Sequence, residues 1–136
     1  MKKRYILPLF ALTAGCTSAD QEPVELTTAA GTELAEAVRG RVAGPPQSCV
    51  YQRPLGGNRS AGEGAIIFEG QTNGAVLYVN NPPAGCPELK FNRALITRTP
   101  TGQLCRGDIV TVADLTSGIQ YGSCGLGDFT PYRRVR

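Results

Sequence analysis

The pattern of apolar and polar positions divides the chain into short apolar runs separated by clusters of turn-forming residues. The runs are rich in β-branched and aromatic residues, which is typical of strands joined by local turns. They predict six strands, namely Ser48–Gln52, Ala65–Glu69, Ala75–Asn80, Lys90–Thr97, Ile109–Asp114 and Ile119–Cys124. The sequence therefore predicts an all-β fold, a small antiparallel barrel or open barrel of about six short strands.

The turn-forming clusters predict how these strands are connected. Asn73-Gly74 lies between two apolar runs and is the strongest short signal for a hairpin. Thr99-Pro100-Thr101-Gly102 and Thr116-Ser117-Gly118 predict two further hairpin turns. The glycine-rich stretch 56–64 lacks the Gly-Lys-Ser/Thr ending of a phosphate loop and precedes a strand, so it predicts a mobile inter-strand loop. Within it, Arg59 is the residue that we expect to contact any ligand.

The amino-terminal residues have the layout of a secretory leader. Lys2, Lys3 and Arg4 precede the uncharged run Tyr5–Ala14, which is too short to span a bilayer as a helix. The following Leu12-Thr13-Ala14-Gly15-Cys16 resembles the lipobox of bacterial lipoproteins, although Thr13 replaces the more usual Leu. The resemblance implies cleavage before Cys16, acylation of that residue and, because Thr17 rather than Asp follows it, residence in the outer membrane facing the periplasm.

Three segments follow from this organisation. We expect a signal peptide at residues 1–15, a lipid anchor and flexible acidic tether at 16–44, and a β domain at 45–136. A short helix is predicted at Glu33–Arg39, with Thr32 as its amino-terminal cap and Gly40 just past its end.

The five cysteines become an even set once Cys16 is acylated. An exported domain meets oxidising conditions, so we expect two disulfides among the other four. They contain no Cys-x-x-Cys and the chain has no His, which argues against redox and zinc sites. Four cysteines allow three pairings. The nested pairing Cys86–Cys105 with Cys49–Cys124 is slightly favoured because it would join the first strand to the last, and the sequential pairing Cys49–Cys86 with Cys105–Cys124 stays open.

The cysteines and their neighbours also carry a family resemblance. The segments resemble those of a family of small exported proteobacterial proteins that is a domain of unknown function. They are Cys49-Val50, Tyr78-Val79-Asn80, Cys86-Pro87-Glu88-Leu89, Leu104-Cys105-Arg106-Gly107-Asp108 and Cys124-Gly125-Leu126-Gly127-Asp128-Phe129. The resemblance covers roughly residues 45–132. It implies one exported domain with four paired cysteines, and it implies no activity.

Charge and composition exclude several chemistries. The formal charge is +3, but three of the 14 basic residues lie in the leader, so the rest of the chain is balanced by its 11 acidic residues. This balance argues against nucleic-acid binding. The absence of His excludes Ser–His and Cys–His nucleophile pairs. Catalysis by a pair of carboxylates is the alternative that the composition leaves open, with four candidate residues. We expect two of them, Asp108 and Asp128, to cap turns beside Gly107 and Gly127 instead. The candidates are Glu88, Asp108, Asp114 and Asp128.

Two further segments suggest binding. Ser117-Gly118-Ile119-Gln120-Tyr121 is similar to the Ser-Gly-x-x-Tyr element of membrane-bound lysozyme inhibitors, which would make Ser117 and Tyr121 contact residues, but the second element of that family is missing. An ordinary hairpin turn with a packed Tyr is the favoured interpretation. The tail carries Arg133, Arg134 and Arg136, which would suit anionic lipid headgroups or lipopolysaccharide. A solvated, fraying terminus is the simpler expectation for it.

The sequence thus predicts a non-enzymatic binding or interaction module, anchored in the outer membrane through Cys16 and working in the periplasm. Its expected partners are the membrane and a periplasmic protein or another envelope component, with no cofactor, metal or nucleic acid. A lysozyme-type hydrolase inhibitor and a small carboxylate-dependent enzyme are the alternative functions.

Overall fold

The structure, a computed structural model, describes residues 28–136 except residues 63, 72 and 91. The leader, Cys16 and the tether up to residue 27 lie outside the described residues. The described part contains one helix and ten strands. These elements are α1 (Thr28–Ala37), β1 (Arg41–Ala43), β2 (Cys49–Tyr51), β3 (Leu55–Ala61), β4 (Ala65–Gly70), β5 (Val76–Asn80), β6 (Arg93–Ile96), β7 (Gln103–Cys105), β8 (Ile109–Asp114), β9 (Gln120–Gly125) and β10 (Phe129–Arg134).

The strands form three antiparallel sheets. The largest has the order β1-β10-β5-β4-β3, the second pairs β2 with β7, and the third has the order β6-β8-β9. Among the described residues these sheets do not close, so the predicted all-β fold of the open type is confirmed. The six predicted strands correspond to β2, β4, β5, β6, β8 and β9, whereas β1, β3, β7 and β10 were not predicted.

Both faces of the five-stranded sheet are covered, because its strands carry apolar side chains on both sides. One face packs against the two smaller sheets, and the other packs against α1. The first contact joins Ile66, Phe68 and Phe129 to Val50, Leu95, Leu104, Val110 and Val112. The second joins Ile67, Leu77 and Val79 to Leu34, Ala37 and Val38. Helix and sheets therefore form successive layers.

The predicted helix exists but its bounds were wrong. It begins at Thr28 rather than Glu33 and ends at Ala37 rather than Arg39, so Thr32 lies inside it instead of capping it. Ala29 and Ala30 lie before the predicted start at Glu33, and alanine has the highest helix propensity, which accounts for the earlier start. Gly40 adopts a φ of 68°, as expected for the residue that turns the chain after a helix. Both α1 and β1 precede residue 45, where the sequence placed the start of the β domain, and both pack on its sheet.

Two segments predicted to be irregular are strands. The stretch 56–64 is mostly β3, which pairs with β4 through a register shift between Leu55 and Gly57. A glycine at such a bulge relieves crowding, which is why a strand tolerates this composition. The tail is β10, which lies between β1 and β5 and buries Phe129 completely. The predictions of a mobile loop and of a fraying terminus were therefore wrong.

The hairpin predictions had mixed outcomes. Asn73 and Gly74 have φ values of 50° and 61°, the left-handed pair that a tight turn between β4 and β5 requires, so this hairpin is confirmed. The turn at residues 116–118 joins β8 to β9 and is also confirmed. The segment 99–102 does not form a hairpin, because β6 and β7 on either side of it belong to different sheets.

Asp114 stabilises the turn between β8 and β9. Its Oδ1 accepts hydrogen bonds of 2.8 Å from the backbone N–H groups of both Thr116 and Ser117. These bonds, that of Ser117 first, hold the pKa of the Asp114 carboxyl below its usual value.

We expect the contribution of Asp114 to stability to depend on pH. Because the folded pKa is depressed, the ionised carboxylate stabilises the fold fully above the unfolded pKa of about 4, and this contribution is lost as the pH falls through the lower folded value. The melting temperatures of the wild type and Asp114→Asn should therefore differ at neutral pH. Their difference should begin to shrink below about pH 4 and disappear only below the lower folded pKa. A difference that persists unchanged in acid would contradict this role.

The four cysteines are paired in a way that neither favoured arrangement predicted. Cys49 bonds Cys105 and Cys86 bonds Cys124, with Cα–Cα distances of 4.0 and 5.4 Å, so the two bridges interlock along the chain. Cys49 and Cys105 are direct register partners on β2 and β7. The nested and the sequential pairing were both wrong, because β2 pairs with β7 and lies in a different sheet from β9. Disulfides persist in oxidising compartments, so both bridges indicate an exported environment.

One buried polar side chain joins β5 to the segment before β10. Asn80 is completely buried, and its side-chain amide donates to the carbonyl of Gly127 at 2.8 Å. Its Oδ1 accepts from the N–H of the same residue at 2.9 Å. A Cβ at Gly127 would lie 2.1 Å from the backbone oxygen of Asn81, so only glycine allows this approach.

Candidate functional site

A cleft lies beside β3, between α1 and the segment that leads into β6. Its volume is about 530 Å³, within the range of small-molecule sites. It is lined by Glu33, Arg59, Ser60, Gly62, Pro87, Leu89, Lys90, Asn92 and Arg93. Three of these residues are cationic and one is acidic, and two of the cations pair with carboxylates beside the cleft.

Arg59 is held at one wall of this cleft by two carboxylates. It lies on β3 opposite Ile67 of β4, and therefore on the face that α1 covers. Its Nη1 is 3.1 Å from Glu33 of α1, and its Nε is 3.0 Å from Glu69 of β4. Exposed ion pairs of this kind contribute little to stability. Their effect is to orient the guanidinium.

Arg93, which also lines the cleft, is fixed by three contacts. Its Nη1 is 2.8 Å from a carboxylate oxygen of Glu88 and donates to the Glu88 backbone carbonyl at 3.1 Å. Its guanidinium carbon lies 3.5 Å from the ring centroid of Tyr121 on β9. A half-buried arginine stacked on an aromatic ring loses little further freedom on binding a ligand. Lys90 is the third cation, and its side chain is exposed.

The structure separates the two residues of the Ser-Gly-x-x-Tyr element. Ser117 lies in the turn between β8 and β9, where its hydroxyl accepts a hydrogen bond of 3.3 Å from the N–H of Ile119. Tyr121 stacks on Arg93 beside the cleft. Ser117 therefore contacts its own turn, whereas Tyr121 contacts Arg93.

The candidate carboxylates have different partners. Asp108 accepts a hydrogen bond of 2.8 Å from the N–H of Cys105, so its predicted role in capping a turn is confirmed. Asp128 instead lies 3.4 Å from Arg106, and Glu88 binds Arg93. Asp114 caps the turn between β8 and β9. The four carboxylates thus contact four different groups of the fold rather than one another.

The arginines of the tail point in different directions from β10. Arg134 lies directly opposite Arg41 of β1, whereas Arg133 lies opposite Val42 and Val76. Because side chains alternate along a strand, Arg133 and Arg134 point to opposite faces of the sheet. Arg136 follows the strand and is exposed.

The chain was also compared with known proteins. No family model, curated protein or solved structure matches it. Within the residues that the structure describes, no helix has the length and apolar character needed to cross a membrane. Over the same residues, no group of three or more His, Cys, Asp or Glu side chains has an arrangement that would hold a metal ion.

Sequence reasoning identified Arg59 but missed most of the cleft. Glu33, Lys90 and Arg93 come from segments distant along the chain, and the approach of residues 87–93 to β3 depends on how the sheets pack. The pattern Glu88-x-x-x-x-Arg93 offered no signal, because this spacing matches neither a helical turn nor a strand.

Proposed function

We propose that the chain is an exported, lipid-anchored binding module rather than an enzyme, and that the cleft beside β3 binds an extended, acidic segment of a partner in the bacterial periplasm. The observation that carries the proposal is the cleft itself, in which Arg59 and Arg93 are each held in place by an ion pair.

The edge of β3 supports an extended ligand. β3 is the outermost strand of its sheet, so alternate residues direct backbone N–H and C=O groups away from β4. Arg59 and Ser60 of β3, and Gly62 just after it, line the cleft. An extended peptide can add to such an edge through its main chain, while neighbouring side chains provide the specificity.

The charge of the cleft supports an acidic ligand. Three cations line the cleft, namely Arg59, Lys90 and Arg93. Arg59 and Arg93 already pair with carboxylates, so among the described residues Lys90 is the cation left for an incoming acidic group. Arginine presents a planar fork of donors that matches a carboxylate, and hydrogen bonds between charged groups are stronger than neutral ones. Leu89 and Pro87 add apolar surface beside these cations.

The proposed cellular location of the module depends on the amino-terminal leader. The tribasic start and the segment ending in Cys16 resemble a lipoprotein signal peptide, and acylation at Cys16 would hold the domain at a membrane. Two disulfides agree with an oxidising compartment. The outer membrane, facing the periplasm, is the location that Thr17 favours.

The structural partners of the candidate carboxylates favour binding over catalysis. Hydrolysis by a carboxylate pair requires two carboxyl groups facing one substrate, with one kept protonated. Glu88 pairs with Arg93, and Asp108 and Asp114 accept backbone hydrogen bonds, so these three carboxylates serve separate structural contacts. For Asp114 the backbone hydrogen bonds also lower the pKa of the carboxyl.

Photo-crosslinking in intact cells tests the proposal. A photoreactive amino acid replaces Lys90 in the cleft or, as a matched control, Arg53, an exposed cation in the turn before β3. We expect the Lys90 position to give a distinct protein adduct that the Arg53 position does not give. Introducing Arg59→Gln should weaken that adduct. The same adducts from both positions, or none from the Lys90 position, would refute the assignment of the cleft.

A further inference from the structure

A second cationic pocket lies on the helix-covered face of the five-stranded sheet, beside the end of α1. Its volume is about 270 Å³, and its lining includes Arg41, Arg59 and Arg134 but only one acidic residue, Glu69. Glu69 is already hydrogen-bonded to the Nε of Arg59. The positive charge of the other two arginines is therefore not matched within the pocket.

The guanidinium groups of Arg41 and Arg134 both lie close to Gly74. They are direct register partners on β1 and β10, so they lie on the same face of the sheet. A Cβ placed on Gly74 would lie 3.6 Å from an Nη2 of Arg134 and 3.8 Å from that of Arg41. Like charges directly opposite each other destabilise a pair of strands, so this arrangement has a cost that a bound anion would remove.

Backbone carbonyls hold Arg41 in place without neutralising it. Its Nη2 donates to the carbonyl of Gly74 at 2.7 Å, and its Nη1 donates to that of Ala75 at 3.3 Å. Burial and, after it, the charge of Arg134 lower the pKa of Arg41, whereas Glu69 acts in the opposite direction. Among the described residues, Arg134 forms no ion pair with an acidic side chain.

We propose that Arg41 and Arg134 form a binding site for a phosphate group, either that of a lipid headgroup or free phosphate. Two guanidinium groups offer several donors in planar forks, the geometry that recognises phosphate oxygens. Gly70 and Gly74, at the two ends of the turn between β4 and β5, also line the pocket. Arg59 lines both this pocket and the cleft beside β3, but Arg41 and Arg134 line only this pocket, so their test does not depend on the partner proposed for the cleft.

The test is an NMR titration of the exported chain, labelled with ¹⁵N, with inorganic phosphate. The side-chain Nε–H resonances of Arg41 and Arg134 should shift saturably. Arg134→Gln should weaken binding about tenfold or more, since it removes a charged donor to the anion. Arg41→Lys keeps the charge but loses the fork, and it should weaken binding while preserving the fold. Arg98→Gln removes an exposed cation outside this pocket and should leave the affinity unchanged.

A second titration distinguishes the two sources of phosphate. Glycerophosphoglycerol carries the phosphodiester of a lipid headgroup without acyl chains. Saturation by this diester at lower concentration than by inorganic phosphate assigns the site to headgroups, and the reverse order assigns it to free phosphate. A titration without saturable shifts for either probe, or an equal loss of affinity in Arg98→Gln and Arg134→Gln, would overturn the proposal.

Discussion

Replacing Asn80 with alanine is expected to lower the free energy of unfolding by about 3–5 kcal/mol. The side chain is completely buried, and it both donates to and accepts from the backbone of Gly127. Its removal leaves a buried N–H and a buried C=O without partners, and each costs about 1–3 kcal/mol. The loss of side-chain volume adds a cavity term. Denaturant unfolding followed by circular dichroism measures the change.

The neighbouring Asn81 provides a matched control. Its residue type is the same, but it is exposed, so Asn81→Ala should change the stability by less than about 0.5 kcal/mol. Asn80→Asp preserves the shape and loses the donor, and it should be destabilising as well because it places a charge in a buried site. Equal effects of Asn80→Ala and Asn81→Ala would show that the bond to Gly127 does not hold β5 and the segment before β10 together.

The second large effect concerns the disulfides. Removing the Cys49–Cys105 bridge with a double alanine variant should cost on the order of 4 kcal/mol, because the bridge closes a loop with a sequence separation of 56. The remaining Cys86 and Cys124 should stay bonded to each other, so this variant should show no free thiol in the β domain. Thiol labelling under denaturing conditions, together with denaturant unfolding, gives both results.

The matched control removes one cysteine from each bridge. Cys49→Ala with Cys124→Ala leaves Cys86 and Cys105, which bond different partners in the native pairing, so two reactive thiols should appear in the newly exported chain. The nested pairing predicts the opposite pattern, with free thiols in the first variant and none in the second. Observation of that pattern would contradict the interlocked bridges.

Local sequence signals predicted those parts of the fold that local chemistry determines. The strands rich in β-branched residues and the Asn73-Gly74 hairpin follow from side-chain shape and from the left-handed φ values that these two residues tolerate. The same local reasoning failed for β3, whose glycines resemble a loop, because pairing with β4 and the burial of Ala61 are tertiary contacts. It also failed for β10. This strand contains Pro131 and belongs to a segment with three arginines, which resembles a terminus in solvent, but it forms a strand because β1 and β5 enclose it.

The candidate site was less predictable than the fold. Arg59 was identified from the glycine-rich segment around it, but its carboxylate partners Glu33 and Glu69 lie on α1 and β4. Arg134 was recognised only as part of a basic tail. Its position opposite Arg41 depends on the register of the first strand with the last, which no local pattern encodes. The pairing of the cysteines was unpredictable for the same reason.

Intact mass analysis of the chain purified from the membrane fraction of its own cells, before and after reduction, tests the central claim most directly. The account predicts a chain that begins at Cys16, carries acyl groups there, and gains about four mass units on reduction, one for each sulfur of two bridges. An uncleaved, unacylated chain whose mass does not change on reduction would contradict it.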